Sequence, residues 1–172
     1  EGDDDSVKYT TIYHGTSVGL VNSVLKNGLK AHKPDISNWG LSYTGKIPKG
    51  VYGAPSPDLA AQWVLYKAEN DLGGDIYLAS ARVCLLKIKV PNNKLKDDPM
   101  MPNAKYCPTD IPPDWIVGVV REAMFEPVRM NGRPVLKELV WEKPNSGDVS
   151  MSIGDDMQYL YVGFLVMPPV AP

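Results

Sequence analysis

Apolar and polar positions switch period several times along this chain. Tyr9-Thr10-Thr11-Ile12 is a β-branched run and predicts a strand over residues 8–13. From Ser17 onward, Val18, Val21, Val24 and Leu25 fall on one helical face and Asn27-Gly28 supplies a stop, which predicts a helix over 17–27. Tyr13-His14-Gly15-Thr16 is thereby placed where a strand ends and a helix begins, a junction that offers unpaired backbone N–H groups to a ligand. Residues 29–49 lack clear periodicity and carry Pro34, Gly40, Gly45 and Pro48, which predicts a long loop. Its aromatic residues, Trp39 and Tyr43, suit either covering a ligand or fastening the loop. Residues 50–54 read as a short strand closed by Pro55. A helix follows, with Ser56 as its N-cap, Pro57 in its first position and Asp58 facing its dipole, and runs to about Asn70 before Gly73-Gly74.

In the second half the two-residue period dominates. A strand is predicted to begin at 76–78. A stronger one covers 82–90, with Cys84, Leu86, Ile88 and Val90 on one face and Lys87 and Lys89 on the other. Val83 and Leu85 share that second face, so a further element should cover it. Residues 91–113 are rich in Pro, Asn and Asp and read as irregular, and residues 115–121 read as a strand. Asn131-Gly132 between strand-like runs signals a two-residue hairpin in which Met130 pairs with Arg133, Glu126 with Lys137 and Phe125 with Glu138. Pro127 and Pro134 keep its tip away from the middle of a sheet. In the second arm Leu136, Glu138 and Val140 share one face and Lys137, Leu139 and Trp141 the other. Residues 143–157 read as a loop and 158–167 as a long apolar strand ended by Pro168-Pro169. Helices early and strands late make an α+β pattern with a mostly antiparallel sheet.

Composition narrows the function classes. A chain of 172 residues with 44% hydrophobic and 22% charged residues can build one core. We expect a flexible acidic N-terminus over 1–7, a single domain over 8–167 and a tail over 168–172. A formal net charge of −2 argues against a broad nucleic-acid surface. No apolar run reaches membrane-spanning length, and the acidic start is the reverse of a signal peptide, so no membrane association is expected. Cytoplasmic, nuclear and secreted-effector locations all stay open. The two cysteines, Cys84 and Cys107, make no disulfide framework, and no metal-ligand spacing is present.

Three blocks carry a resemblance. They are Tyr13-His14-Gly15-Thr16-Ser17 with Leu25-Lys26-Asn27-Gly28-Leu29; Gly50-Val51-Tyr52 with the small-residue helix behind it; and Lys137-Glu138-Leu139-Val140-Trp141. Together they resemble the His–Tyr–Glu signature of the ADP-ribosyltransferase fold, in its poly(ADP-ribose) polymerase-like, diphtheria-toxin-like branch. The resemblance spans about residues 9–167 and implies a split, mostly antiparallel sheet and cleavage of NAD⁺ at its nicotinamide–ribose bond. It implies mono-transfer of ADP-ribose to a macromolecular acceptor, with protein favoured over nucleic acid and NAD⁺ as co-substrate without a metal. By the same resemblance, His14 holds the adenosine-side ribose, Gly15 pairs with the carboxamide, and Tyr52 packs on the nicotinamide ring with Trp63 as a second stacking aromatic. Glu138 then bonds the nicotinamide-ribose 2′-hydroxyl and stabilises the cationic transition state, and Thr16, Ser56 and Tyr43 complete the NAD⁺-contacting candidates.

The chain departs from that pattern in places. Ala60 stands where many members of the branch have a serine, and Leu136 stands where arginine-specific relatives have a second glutamate. Glu122, Glu126 and Glu142 are rival carboxylates, and Gln158 takes the catalytic place if the end of the alignment is shifted. The first block is also similar to RNA 2′-phosphotransferases, and Ile111-Pro112-Pro113-Asp114-Trp115-Ile116 is similar to their late Pro-Pro segment. The arginines and second histidine of those enzymes have no counterpart in the second block here. An inactive NAD⁺- or ADP-ribose-binding module and a protein-interaction domain are the remaining readings.

Overall fold

Strand β3 (Val83–Pro91) has an almost unbroken apolar sequence, and its two faces are buried by different partners. The computed structural model describes residues 7–36, 43–74, 76–130, 133–137 and 139–144; the chain divides into Glu1–Trp141 and 142–172, and every helix and strand described belongs to the first. β3 lies between β1 (Tyr9–Ser17) and β6 (Ile116–Val120), with both pairings antiparallel. A second sheet has the order β2 (Val51–Gly53), β5 (Lys105–Cys107), β4 (Lys96–Asp97). A hairpin of β7 (Phe125–Met130) and β8 (Arg133–Leu136) stands apart from both. The chain is thus α+β, mostly antiparallel, with few helices.

The expected alternation of β3 is observed. Cys84, Leu86, Ile88 and Val90 are buried with Ile12, Val21, Val51, Cys107, Ile111 and Val119 in one core, against which α1 (Val21–Asn27) packs Val24 and Leu25. Val83 and Leu85 face a second core, built from Ala60, Ala61 and Leu65 of α2 (Pro57–Asp71) and from Ala79 of α3 (Ile76–Ser80). The cover required for the second face of β3 is therefore α2, α3 and the hairpin. Both cysteines are buried free thiols. Cys84 donates to the Arg121 carbonyl at 3.1 Å, and burial pushes its pKa up to about 12.

Local signals act as the residue types dictate. The Ser56 hydroxyl caps α2 by accepting the Leu59 N–H at 3.3 Å, with Pro57 and Asp58 in the first turn. Gly28 closes α1 at φ +82°, where a Cβ would lie 2.1 Å from the Ile111 carbonyl oxygen, so both conformation and space demand glycine.

Five expectations need correction. β1 runs to Ser17 and α1 starts at Val21, because nine residues of β1 find partners on β3 and this ladder outweighs local helix signals. Residues 76–80 form a helix instead of starting a strand; Ala79 is buried against α2, and Arg82 N–H returns to Ala79 O at 3.0 Å. Residues 91–113 contain β4 and β5, too short to show a period. In the hairpin Met130 does pair with Arg133, but Phe125 faces Leu136 and Glu126 faces Val135, because the pairing is irregular between Glu126 and Arg129, around Pro127. β8 then ends at Leu136, and Lys137 N–H bonds Met124 O at 2.7 Å. Leu136, Leu139 and Trp141 all pack on the second core, so the strict two-residue alternation expected across 136–141 is broken. Asn131-Gly132, the 143–157 loop beyond residue 144, and the 158–167 strand lie outside the described residues.

Candidate functional site

His14 stands within β1, three residues before its end, and pairs with Leu86. The free N–H groups of a helix start are therefore not beside it. Open backbone groups arise there by another route. Tyr13 exchanges bonds of 2.9 and 2.8 Å with Ala54, so Tyr13 turns its N–H and C=O away from β3. Antiparallel alternation then sends the N–H and C=O of every second residue of β1 the same way. Lys8 and Val18, on the opposite parity, confirm it by bonding Asn92 and Arg82 beyond the two ends of β3. Gly15 is the next outward-facing residue after the Ala54 bridge. Among the described residues nothing else is bonded to its N–H and C=O.

Gly15 also has to be glycine. On its side-chain face α2 closes so tightly that a Cβ would lie 2.6 Å from Val64 and 3.0 Å from the Ala60 carbonyl oxygen. Ala60 is buried under this contact. Thr16 is buried, and Trp63, itself a residue of α2, packs on the second core.

His14 meets β2. Its Nδ1 lies 2.8 Å from the Tyr52 carbonyl oxygen. A carbonyl only accepts, so Nδ1 carries the hydrogen and the neutral ring presents Nε2 as an acceptor. The position is structurally required. Gly50, Tyr52 and Ala54 turn their backbone groups to one edge of β2. Gly50 bonds His32 there, Ala54 bonds Tyr13, and the His14 imidazole fills the gap between the two bridges. Burial holds the His14 pKa below its usual value; the Tyr52 carbonyl opposes this, and the nearby His32 adds to it.

The Tyr52 ring stacks on Tyr106, its cross-strand partner, with centroids 5.0 Å apart and planes 17° apart. Its hydroxyl donates to Pro48 O at 2.6 Å. Burial raises the Tyr52 pKa to about 12, and the Asp98, Tyr106 and Tyr43 side chains add to the rise. Asp98 is itself raised by burial, while the Met100 and Met101 N–H groups it accepts pull it back. Tyr43 therefore lies within electrostatic reach of Tyr52, and it is more than a third exposed. Tyr106 and Asp98 were not legible as site residues, since they lie in the stretch with no periodicity.

Of the carboxylates, Glu138 lies outside the described residues, as do Trp39 and Gln158. Its neighbours are placed: Leu136, Leu139 and Trp141 pack against the core that α2 shares with Tyr13. Trp141 lies 5.7 Å from Tyr13, and the Lys87 ammonium sits 4.7 Å from the Trp141 ring centroid. Glu126 faces Val135 in the hairpin, and Glu142 belongs to the second unit. Glu122 lines a separate groove of about 300 Å³ with Ser80, Ala81, Ala123, Met124 and Phe125, which includes no residue of the His14 cluster. Among the described residues no group of three His, Cys, Asp or Glu side chains is placed to hold a metal ion, and no helix is long and apolar enough to cross a membrane. Comparison with models of protein families, with curated proteins and with solved structures finds no match to this chain.

Proposed function

We propose that this chain is an NAD⁺-dependent mono-ADP-ribosyltransferase of the His–Tyr–Glu type, with protein as the acceptor class. The observation that carries the reading is the N–H and C=O of Gly15, unbonded among the described residues, next to a tautomer-locked His14. A primary carboxamide offers one acceptor and one donor on adjacent atoms. It pairs with such a residue as a neighbouring strand would. The nicotinamide carboxamide fits this edge, and the Nε2 acceptor of His14 fits a ribose hydroxyl of the adenosine half. Tyr52, buried and stacked on Tyr106, is assigned the nicotinamide ring, and Trp63 is the second aromatic on the α2 side.

In this reading nicotinamide leaves with the electron pair of its bond to ribose C1′. The ribose carries the positive charge until an acceptor nucleophile adds at C1′ and loses its proton. Glu138 is assigned the 2′-hydroxyl and the charge, the electrostatic role a carboxylate plays beside any oxocarbenium ion. The packing of Leu136 and Leu139 on the α2 side of the sheet supports that assignment, since Gly15 faces α2 as well.

Nicotinamide release from NAD⁺ by the wild type tests the reading, with NAD⁺ binding measured alongside. Glu138→Gln and His14→Ala should each lower release by about 10²–10³-fold, and Glu126→Gln should leave it within about twofold of wild type. Binding without release in the wild type would favour a non-catalytic module. Absence of NAD⁺ binding would overturn the proposal.

A further inference from the structure

Residues 30–49 hold four lysines and one histidine but only one carboxylate, Asp35, in a chain whose net charge is −2. The fold gathers part of this charge beside His14. His32 and Gly50 exchange backbone bonds of 3.1 and 3.0 Å. Lys33 and Lys49 are the chain neighbours of that isolated bridge, one on each segment. Lys30 pairs with the Asp110 carboxylate at 3.7 Å, which also accepts the Ala31 N–H at 2.8 Å and interacts electrostatically with Lys49. Lys33, Lys49 and His32 are all exposed, and among the described residues none of the three makes an ion pair. His32 lies near enough to His14 for the two imidazoles to interact electrostatically.

We infer that His32, Lys33 and Lys49 form a phosphate-binding rim at the His14 end of the site, and that it takes a phosphate group of the nucleotide ligand. The inference rests on the proposed function only for the ligand being a nucleotide. The bridge holds the two segments about 5 Å apart at His32 and Gly50, so a lysine next to it on each segment has the reach to meet one phosphate group. The rim is one residue pair wide on a chain of negative net charge, which disfavours an extended polyanion such as RNA. The phosphate has two sources on a nicotinamide dinucleotide, the bridging pyrophosphate or a monoester on the adenosine ribose.

Calorimetric titration of the full chain with inorganic pyrophosphate, NAD⁺ and NADP⁺ tests the rim. Pyrophosphate should bind the wild type. It should bind the Lys33→Gln/Lys49→Gln double variant about tenfold or more weakly, and the Lys33→Arg/Lys49→Arg variant with little loss. The Arg variant separates lost charge from lost folding. NADP⁺ binding tighter than NAD⁺ assigns the rim to the ribose monoester; equal binding assigns it to the bridging pyrophosphate. Absence of pyrophosphate binding to the wild type, or equal binding to the folded Gln variant, overturns the rim. Pyrophosphate binding without nicotinamide release would overturn the transferase and leave the rim standing. Nicotinamide release with an unchanged KM for NAD⁺ in the Gln variant would do the reverse.

Discussion

The Nδ1 hydrogen of His14 links folding to the proposed chemistry, because one bond to the Tyr52 carbonyl both closes a gap in the strand pairing and fixes which ring nitrogen accepts. The ring is half-buried and neutral, and desolvation holds its pKa below the unfolded value of 6.5. Above that value both states are neutral and the stabilisation is complete. As pH falls toward the folded pKa, the unfolded chain takes up the proton first and stability is lost. Urea titrations from pH 8 down to about 5 should show an acid-side loss of stability that is shallower in His14→Gln. Nicotinamide release should hold while only the unfolded chain is protonated and fall at lower pH, as the folded His14 itself takes up a proton and Nε2 turns from acceptor to donor. The identities of His14 and Gly15 were legible from a four-residue motif. Their backbone surroundings were not, because the parity of a strand's hydrogen bonds is set by its partners.

At the level of elements, α2 matches its sequence signals most closely. Ser56, Pro57 and Asp58 mark its start, and the helix begins there. The structure uses the Ser56 hydroxyl to cap the helix, which separates its structural role from ligand binding. Ser56→Ala should cost about 1 kcal/mol in a denaturant titration while leaving the KM for NAD⁺ unchanged. A rise in KM without loss of stability would return Ser56 to the binding site. The hairpin shows the opposite case. Its turn dipeptide was readable and the pair next to the turn is as expected, yet the pairing slips by two residues between Arg129 and Glu126. A proline without an N–H cannot hold a regular ladder, and the position of the slip depends on how the arms pack. The helix at 76–80 was likewise hidden, since five residues carry too little pattern to separate helix from strand.

Across the first unit, β3 is shared by both cores. Leu85 and Leu86 are adjacent in sequence and fully buried on opposite faces, one against α2 and the other against α1 and the second sheet. Leu85→Ala and Leu86→Ala should therefore each cost about 2–5 kcal/mol. In both variants the tryptophan fluorescence and far-UV circular dichroism transitions should still coincide, since neither core can melt while β3 holds the other. Separate transitions in either variant would show that the two faces are independent.

The amino-acid sequence by itself determined the α+β class, the covered double-faced strand at 83–90, the borders of α2, the glycine that ends α1 and the residues worth testing. All of these follow from local propensity or from a period visible within ten residues. Tertiary structure alone decided that β1 runs past His14, that Gly15 presents its backbone outward beneath α2, and that His14 answers the Tyr52 carbonyl. It also decided that His32 bridges Gly50. Each of these depends on pairing between segments that are far apart in sequence, such as β1 with β3 or residue 32 with residue 50. Such a pairing is selected by the burial and hydrogen-bond satisfaction of the whole sheet, which no local window contains.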